Sequence, residues 1–592
     1  MIAGRVALAT IGLALAGIVT FGALAPPEHC PRPTTASLQQ SADAAVQWFV
    51  RNQHDDGTWL YEYDADDQSA SDDYNLVRHA GAIMGLYQSA AAGIDGALAS
   101  ADRGLGWVED RLIEHDGWTA LASGGRAPVG GTALLVAGLA ERRVLSGDDA
   151  NDDLMQSLGR FLVAQTESSG AVVAQFDTVA MAPVADSRSK YYTGEAYWAL
   201  ARLHLLFPDA GYGEVADRVG NYMATARDDV EGHWPPIPDH WVAYGLAETV
   251  TFPERDPARP LTDAELAYAR RQAGLFGSQV RWVSQQAGPW GPLVRGTKVP
   301  RGGGYGVVGE ALTGLWRVAE ADERLADARA PLAARATCIA GLATAVQHHE
   351  AGEPRTDGAW FIDGVTRMDD QQHAVSALLR TQAVVETPDG HGHDAPSAWL
   401  WGLALVATFN PLFVALAVPS RPRRSESATL AAVGGALGGA IVLAAAALSG
   451  PLLEALGVSR PALRLAAGIV GGVAGLVRMA RRTPMPEDGP PGVRAALVPV
   501  AVPLVAGPAL IVLGLSAGAD LGVVFVAGCL ALAVGALSGL AAITPDPPGP
   551  HPPGSGPGRS WRRPVAGWAQ RLVTAAGVVA CVLLVVDAVF SV

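Results

Sequence analysis

The chain has 592 residues and a formal net charge of −15 at pH 7. Residues 36–395 carry ordinary charge and most of the Trp and Tyr, whereas residues 396–592 are dominated by Ala, Gly, Val, Leu and Pro. The net negative charge, and the lack of a basic stripe in residues 36–395, exclude nucleic acid as a partner. The change of composition predicts a domain boundary near residue 395.

The N-terminal segment is apolar over residues 6–25 and follows a single Arg5. Such a segment is either a signal peptide or an uncleaved membrane anchor. Small residues at 23–25 resemble a cleavage site, but Pro26 directly after them disfavours cleavage. We therefore favour an anchor over residues 1–26.

The four cysteines form no CxxC motif and no cluster with histidine. This spacing predicts no metal site, and nothing else in the sequence calls for a cofactor. Cys30 and Cys338 are a candidate disulfide in an oxidising compartment. The other two cysteines lie in apolar spans.

The soluble part, residues 36–395, shows apolar residues at helical spacing and no convincing alternating strand. Its connections contain weak repeats over residues 53–59, 115–118 and 356–360, each of which ends in Asp-Gly and Trp. Paired helices with repeated connections predict six hairpins that close into an all-α (α/α)6 toroid with a central cleft. The predicted helices cover residues 42–53, 74–92, 97–114, 130–145, 152–166, 192–206, 211–227, 239–250, 262–286, 304–320, 328–350 and 370–386.

Three segments of the soluble part carry a family resemblance, namely Tyr74–Gly81, Tyr191–Ala196 and Asp369–Ala374. Over about residues 45–385 the chain resembles carbohydrate-acting toroids, including the C-terminal helical domain of glucuronyl C5-epimerases and the N-acylglucosamine epimerases. The resemblance implies the toroid fold and a sugar as the ligand of the cleft. It implies no particular reaction, because the same fold also serves other functions.

Polar and aromatic side chains recur at the predicted starts of the inner helices. Sugar sites use carboxylates for acid–base chemistry and aromatic faces for stacking. The alternative is that these side chains bind loop backbone and hold the ring together. The candidate catalytic residues are Tyr191, Tyr192, Glu195, His240, Glu310 and His373. The candidate substrate-binding residues are Tyr74, Arg78, His79, Asp239, Trp241, Arg301, Asp369 and Gln372.

The last third of the chain contains six apolar spans near the ~20 residues that cross a bilayer. Three arginine clusters, at residues 421–424, 478–482 and 559–563, fall on the same side of the predicted spans. The positive-inside rule assigns that side to the cytoplasm, and Arg5 agrees. The sequence thus predicts a multi-pass plasma-membrane protein, with the lipid bilayer as partner and the soluble domain extracytoplasmic. The spans are about 396–418, 428–450, 462–478, 495–516, 519–543 and 565–590.

Three stretches of the membrane domain, residues 409–419, 456–468 and 498–508, resemble the MarC family of six-helix inner-membrane proteins. The third and sixth spans look alike, and the first and fourth are both interrupted by proline, which predicts an inverted 3+3 repeat. Broken helices at matching positions of such repeats indicate a transport site. The alternative is that proline and glycine serve helix packing alone. The transport candidates are Asn410, Pro411, Pro503, Gly507 and Pro508.

The leading hypothesis is a MarC-like transporter with an extracytoplasmic toroid that binds or modifies an envelope glycan or another small-molecule substrate. The alternative is a membrane-anchored glycan-binding or assembly module without catalysis. The residues alone do not decide between an enzyme and a binding module.

Overall fold

A computed structural model describes residues 28–286, 292, 295–296, 300–350, 352–387, 398–417, 424–456, 460–480, 501, 505–543 and 562–590. The chain divides into two compact units. One comprises Cys30–Ser284 and Lys298–His393, and the other contains Asp394–Val592.

The first unit is built from paired helices. In four of the pairs the connection between the two helices is short, at residues 92–96, 147–151, 207–211 and 322–325, which favours antiparallel neighbours, whereas the connections from one pair to the next are longer. The helices are α1 (Thr35–Arg51), α2 (Leu76–Ala91), α3 (Ala97–Glu109), α4 (Val129–Ser146), α5 (Asp152–Ala164), α6 (Tyr192–Leu206), α7 (Tyr212–Thr225), α8 (Arg227–Val230), α9 (His240–Thr249), α10 (Asp263–Ser284), α11 (Gly302–Ala321), α12 (Ala326–Val346) and α13 (Met368–Glu386).

Six inner helices form a closed ring in which α2 packs on α4, α4 on α6, α6 on α9, α9 on α11, α11 on α13, and α13 again on α2. The outer helices α1, α3, α5, α7, α10 and α12 cover this ring. The predicted (α/α)6 toroid is confirmed. The predicted start of the first helix, residue 42, was too late, because Thr34 and Ser37 form a capping box that begins α1 at Thr35.

The division into inner and outer helices follows from composition. Helix α4 is buried without interruption from Val129 to Ala140, as expected for a helix that is covered on all sides. Small residues let the inner helices approach closely. A Cβ atom at Gly306 of α11, for example, would collide with the backbone of His373 in α13.

Short antiparallel strands precede several inner helices, which corrects the expectation of a purely helical domain. Strand β8 pairs with β1 and so joins the last hairpin of the ring to the first. Segments of two to four residues are too short to show an alternating pattern, so the sequence did not reveal them. The strands are β1 (Glu62–Asp64), β2 (Ser69–Ala70), β3 (Leu112–His115), β4 (Trp118–Leu121), β5 (Arg126–Pro128), β6 (Gln175–Asp177), β7 (Ala182–Pro183) and β8 (Val365–Arg367).

A disulfide joins Cys30, ahead of α1, to Cys338 of α12. The candidate pairing is therefore present in the structure. It ties the start of the toroid to its last outer helix across a sequence separation of 308 residues.

The second unit contains apolar helices, of which four in the described residues are long and apolar enough to cross a bilayer: 398–415, 428–447, 523–541 and 568–586. This finding supports four candidate membrane spans. The six spans and their orientation stay predictions. The N-terminal segment 6–25 lies outside the described residues. The helices are α14 (Ala398–Phe409), α15 (Pro411–Ala417), α16 (Arg424–Ala447), α17 (Ser449–Leu456), α18 (Arg460–Ala480), α19 (Pro508–Leu521), α20 (Val523–Ile543) and α21 (Arg562–Phe590).

Candidate functional site

Three of the six catalytic candidates meet at one point of the ring. His240 begins α9, Glu310 lies in α11 and His373 lies in the second turn of α13. One ligand atom from each lies within 4.8 Å of the other two. The closed ring brings these three inner helices side by side, although the residues are far apart in the sequence.

Glu310 holds His373 in a fixed orientation. The Nδ1 atom of His373 lies 2.7 Å from Glu310 Oε2, and Tyr244 Oη donates a hydrogen bond of 2.9 Å to Glu310 Oε1. The guanidinium of Arg380 lies over the Tyr244 ring at 4.1 Å. Glu310 is fully buried, and both its oxygens are hydrogen-bonded. Because the Nδ1 atom of His373 bonds to Glu310, its Nε2 atom is the one that can bind another group.

His240 faces this pair without a hydrogen bond of its own. Its side chain is almost fully buried, yet neither ring nitrogen has a hydrogen-bond partner among the described residues. Its Nε2 lies 3.8 Å from Glu310 Oε2, and its ring centre lies 5.2 Å from that of His373. A buried polar group without a partner is costly, and such groups concentrate at ligand and catalytic sites.

The two histidines have pKa values shifted in opposite directions. Burial lowers the pKa of His240 well below its ordinary value, and the nearby His373 adds to this effect. Burial also opposes the charged form of His373, but the Glu310 carboxylate outweighs it and raises the pKa of His373 overall. Environments that separate the pKa values of two neighbouring groups are typical of an acid and base pair.

Aromatic rings surround the histidines. Trp241 lies 4.3 Å from the ring of His240 and 5.7 Å from the ring of His373, measured between ring centres. Tyr191, at the start of α6, lies 6.3 Å from the His240 ring and is 46 % exposed. Aromatic rings thus line the histidine pair, and Tyr191 is the exposed member of this group.

The catalytic candidate Glu195 lies in the first turn of α6 and is buried. Burial, together with the charge of Asp239, raises the pKa of Glu195 to about 8, against the opposing effect of the Trp241 indole. Tyr192 lies beside it, and burial raises the pKa of this phenol to about 12. Glu195 interacts with the Trp241 indole, and Tyr192 follows Tyr191 at the start of α6.

Asp239, predicted to bind substrate, is engaged by the protein. It forms a fully buried ion pair of 2.6 Å with Arg227, and it accepts a hydrogen bond from the backbone of Trp241 at the start of α9. Arg227 also lies 3.4 Å from the hydroxyl of Tyr268. These contacts favour a structural role for Asp239, since they fix the helix end that carries His240.

A second group of candidates lies at the start of α2. The Nδ1 atom of His79 bonds to Tyr74 Oη at 2.7 Å, and its Nε2 atom bonds to the carbonyl of Gly104 at 2.9 Å. Burial lowers the pKa of His79 to about 4. Both ring nitrogens are occupied and the ring packs on Trp107, which favours a structural role for His79 and Tyr74.

Of the remaining substrate-binding candidates, Arg78, Asp369 and Arg301 take part in ion pairs between the starts of inner helices. Arg78 pairs with Asp369 at 3.0 Å, and Arg301 pairs with Asp370 at 3.2 Å. Gln372 packs against glycines of α2 and lies 3.5 Å from His373 Nδ1. Of this group only Gln372 lies directly beside the histidine pair.

Sequence analysis missed Tyr244, Arg227 and Arg380. Tyr244 follows His240 by four residues and so lies on the same face of α9, which was a usable signal. Arg227 and Arg380 had no such signal, because their partners come from other helices.

The three ligand-type side chains also raise the question of a metal ion. The 2.7 Å separation of His373 Nδ1 and Glu310 Oε2 is that of a hydrogen bond. Two ligands around one zinc ion, each at ~2.0–2.1 Å, would stand farther apart. The geometry therefore fits a proton-bearing pair, and the absence of a metal stays a prediction.

The transport candidates lie in the second unit. Asn410 lies between α14 and α15 and interrupts the helix, with a positive φ of 48°. Its side chain donates to Thr574 Oγ1 at 2.9 Å and accepts from the backbone of Phe413 at 3.0 Å. These bonds favour a packing role. Pro411 begins α15, Gly507 and Pro508 begin α19, and Pro503 lies outside the described residues.

A buried ion pair joins Arg464 of α18 to Asp520 of α19, with 2.7 Å between Nε and Oδ2. Arg464 lies within the third predicted span, and its pairing with Asp520 was not predicted.

No protein-family model and no curated protein matches the chain, so the resemblance to MarC proteins finds no support there. Three of the similar solved structures are carbohydrate enzymes. They are cellobiose 2-epimerase from Spirochaeta thermophila (14 % identity, 60 % of this chain and 98 % of that chain, TM-score 0.45), D-mannose isomerase (12 %, 59 % and 97 %, 0.41) and an unsaturated glucuronyl hydrolase specific for heparin (11 %, 60 % and 100 %, 0.42). With TM-scores below 0.5, these similarities assign no activity to this chain.

Proposed function

We propose that the chain is a membrane-attached enzyme whose extracytoplasmic toroid transfers protons at a sugar carbon next to a carbonyl group. One observation carries the proposal. The buried His240 and the half-buried His373 face each other across 5.2 Å; Glu310 orients His373, and His240 has no hydrogen-bond partner among the residues that the structure describes.

The chemistry follows from the charge states of the pair. His240, which is neutral at pH 7, accepts the proton from the carbon, and His373, whose charge the Glu310 carboxylate stabilises, returns a proton to the intermediate. Return to the opposite face inverts the carbon, and return to the former carbonyl carbon moves the carbonyl group. Exchange with water restores the two histidines.

Glycoside hydrolysis fits the same residues less well. It needs two carboxyl groups that flank the scissile bond. Here Glu310 is fully buried and both its oxygens are already hydrogen-bonded within the protein. A sugar is favoured as the substrate because Trp241 and Tyr191 offer the aromatic faces on which sugar rings stack.

The disulfide supports the extracytoplasmic location of the toroid, because disulfides persist in oxidising compartments. The arginine clusters of residues 396–592 support the same orientation, because the positive-inside rule assigns their side of the predicted spans to the cytoplasm. The four apolar helices provide the attachment to the membrane.

The direct test is hydrogen exchange from carbon. The full chain in detergent is incubated in D2O with a panel of reducing aldoses, ketoses and disaccharides, and the C–H signals next to the carbonyl are followed by NMR. We expect one sugar to exchange, with loss of exchange in His240→Asn and in His373→Asn. His348→Asn, a change at an exposed histidine, is the matched control. Exchange that requires an added divalent cation and stops with chelator would instead indicate a metal centre. No exchange from any sugar, together with binding, would favour the non-catalytic module.

Transport by residues 396–592 remains a separate proposal. It rests on the helix break at Asn410 and on the predicted repeat. Flux of the exchanging sugar into liposomes that contain the full chain would support transport. No flux, or flux unchanged by Asn410→Ala, would leave these helices as an anchor.

A further inference from the structure

A group of charged side chains lies towards the C-terminal ends of the inner helices, away from the histidine pair. Arg317 follows Glu310 by seven residues in α11, and Arg380 follows His373 by seven residues in α13. A helix rises ~1.5 Å per residue, so both arginines lie ~10 Å farther along these helices. We call this group the inner-helix arginine cluster, and its members are Glu141 of α4, Arg202 of α6, Glu248 of α9, Arg317 of α11 and Arg380 of α13.

The charges of this cluster do not balance. Arg202 lies 3.4 Å from Glu141 and 3.5 Å from Glu248, and Arg317 lies 4.0 Å from Glu248. The two carboxylates are thus paired with two of the three arginines. Arg380 has neither an ion pair nor a side-chain hydrogen bond within the part of the chain that the structure describes, and its Nε atom is buried. One positive charge, that of Arg380, is left without an anion.

A second unpaired donor lies one turn away. Ser376, four residues before Arg380 in α13, donates a hydrogen bond of 2.6 Å to Gln88 Oε1 of α2. The Nε2 atom of Gln88 is buried and has no partner among the described residues. Guanidinium and amide N–H groups can only donate, and leaving such donors unpaired away from water is costly. What this region lacks is therefore an acceptor, and the 41 % exposed side chain of Arg317 leaves the cluster open to solvent.

Contacts within the protein explain the position of Arg380 only in part. Its guanidinium lies 4.1 Å from the centre of the Tyr244 ring, and the C-terminal parts of helices favour cations. A ring face attracts the charge but supplies no oxygen for the five N–H groups of a guanidinium. Arg380 also lies six residues before the end of α13 and donates to no described carbonyl group, so the helix end does not supply the acceptor either.

We propose that the inner-helix arginine cluster binds a monovalent anion at Arg380, a site separate from the histidine pair and independent of the proton-transfer function. A single negative charge balances the cluster. A doubly charged anion would leave excess negative charge beside the carboxylates of Glu141 and Glu248, whose fields reach Arg380. Chloride and a small carboxylate share the required chemistry, and a guanidinium binds either of them through charge-assisted hydrogen bonds.

The direct test is the line width of the chloride NMR signal, which broadens when chloride binds to a protein. The full chain in detergent is titrated with sodium chloride in a chloride-free zwitterionic buffer. We expect saturable broadening that is lost in Arg380→Gln and kept in Arg259→Gln, a change at an exposed arginine. Acetate and sulfate are then added as competitors. Displacement by acetate at lower concentrations than chloride would assign the site to a carboxylate, whereas preferential displacement by sulfate, or broadening unchanged in Arg380→Gln, would overturn the proposal.

Thermal unfolding separates anion binding from a purely structural role of Arg380. A ligand that binds only the folded state raises the melting temperature. Chloride should therefore raise that of the wild type and of Arg380→Lys, which keeps the charge, and leave that of Arg380→Gln unchanged. If Arg380 only packs on Tyr244, Arg380→Gln will melt lower than the wild type by the same amount with and without chloride, which overturns the proposal.

A further variant covers the case in which Arg380→Gln does not fold. Arg317→Gln, at the exposed edge of the cluster, removes the net positive charge and should weaken chloride binding several-fold. An unchanged chloride affinity in this variant would overturn the proposal. Because none of these measurements uses a sugar, their failure is distinct from a failure of the proposed proton-transfer function.

Discussion

His373 Nδ1 lies 2.7 Å from Glu310 Oε2, and the two residues are 63 positions apart on neighbouring inner helices. Glu310 is fully buried, so it interacts with His373 in surroundings that screen the charge poorly. The hydrogen bond fixes the orientation of His373, and the Glu310 carboxylate favours the charged form of His373, which burial alone would disfavour.

The pair predicts a pH-dependent contribution to stability. The folded-state pKa of His373 is raised, so its contribution is fully present below the unfolded pKa of ~6.5 and is lost as pH rises through the folded pKa. Glu310→Gln should lower the free energy of unfolding by about 1–3 kcal/mol at pH 5–6, and by less above pH 7. Urea unfolding of both proteins across this range is the measurement. An equal difference at every pH would contradict the prediction.

His240 should matter for activity and hardly for stability. Neither ring nitrogen is hydrogen-bonded to any described residue, so His240→Asn should remove no side-chain hydrogen bond, and the melting temperature should stay within a few degrees. Carbon–hydrogen exchange should fall by about 10²–10⁴-fold, which is the usual contribution of a general base. Thermal unfolding and the exchange assay measure the two effects. A strongly destabilised variant would show that His240 is a structural residue.

Gly130 should tolerate no side chain, because a Cβ atom there collides with Glu195 and Tyr192. We expect Gly130→Ala to lose most of the exchange activity and to be destabilised by about 1–3 kcal/mol. Gly106→Ala is the matched control, since a Cβ atom at that helical position meets nothing within 4 Å. The control should be unchanged or stabilised by about 0.4–1 kcal/mol. Similar behaviour of both variants in unfolding and activity assays would contradict this view of the α4–α6 contact.

The disulfide should contribute to the stability of the toroid. Cys338→Ser should lower the free energy of unfolding by about 2–5 kcal/mol. Thiol labelling of the unfolded wild type without reductant should leave Cys30 and Cys338 unmodified if the chain was exported. Full labelling of both cysteines in protein from the native membrane would contradict the extracytoplasmic location.

Buried ion pairs near the site should be sensitive to loss of one partner. Arg227→Ala leaves the Asp239 carboxylate buried without its cation, which typically costs about 3–5 kcal/mol. Because Asp239 holds the end of α9 that carries His240, activity should fall as well. Retention of both stability and exchange activity would show that the pair contributes nothing to the site.

The sequence by itself determined the helical ring and the apolar character of the last third. Helical spacing of apolar residues is a local property, so it predicted the inner and outer helices to within a few residues, except at the start of α1 and at the end of α3, where residues 112–114 belong to strand β3. It also placed His240, Glu310 and His373 among the candidates, since polar residues near the starts of inner helices stand out against apolar neighbours.

Only the tertiary structure decided which candidates act together. His79 and His240 both lie in the first turn of an inner helix, yet both nitrogens of His79 are hydrogen-bonded, whereas those of His240 have no hydrogen-bond partner in the part of the chain that the structure describes. The Glu310–His373 bond and the unpartnered Glu195 oxygen likewise depend on contacts between helices that are distant in sequence. Hydrogen bonding and burial are set by such long-range packing, and a pattern of residue types does not specify them.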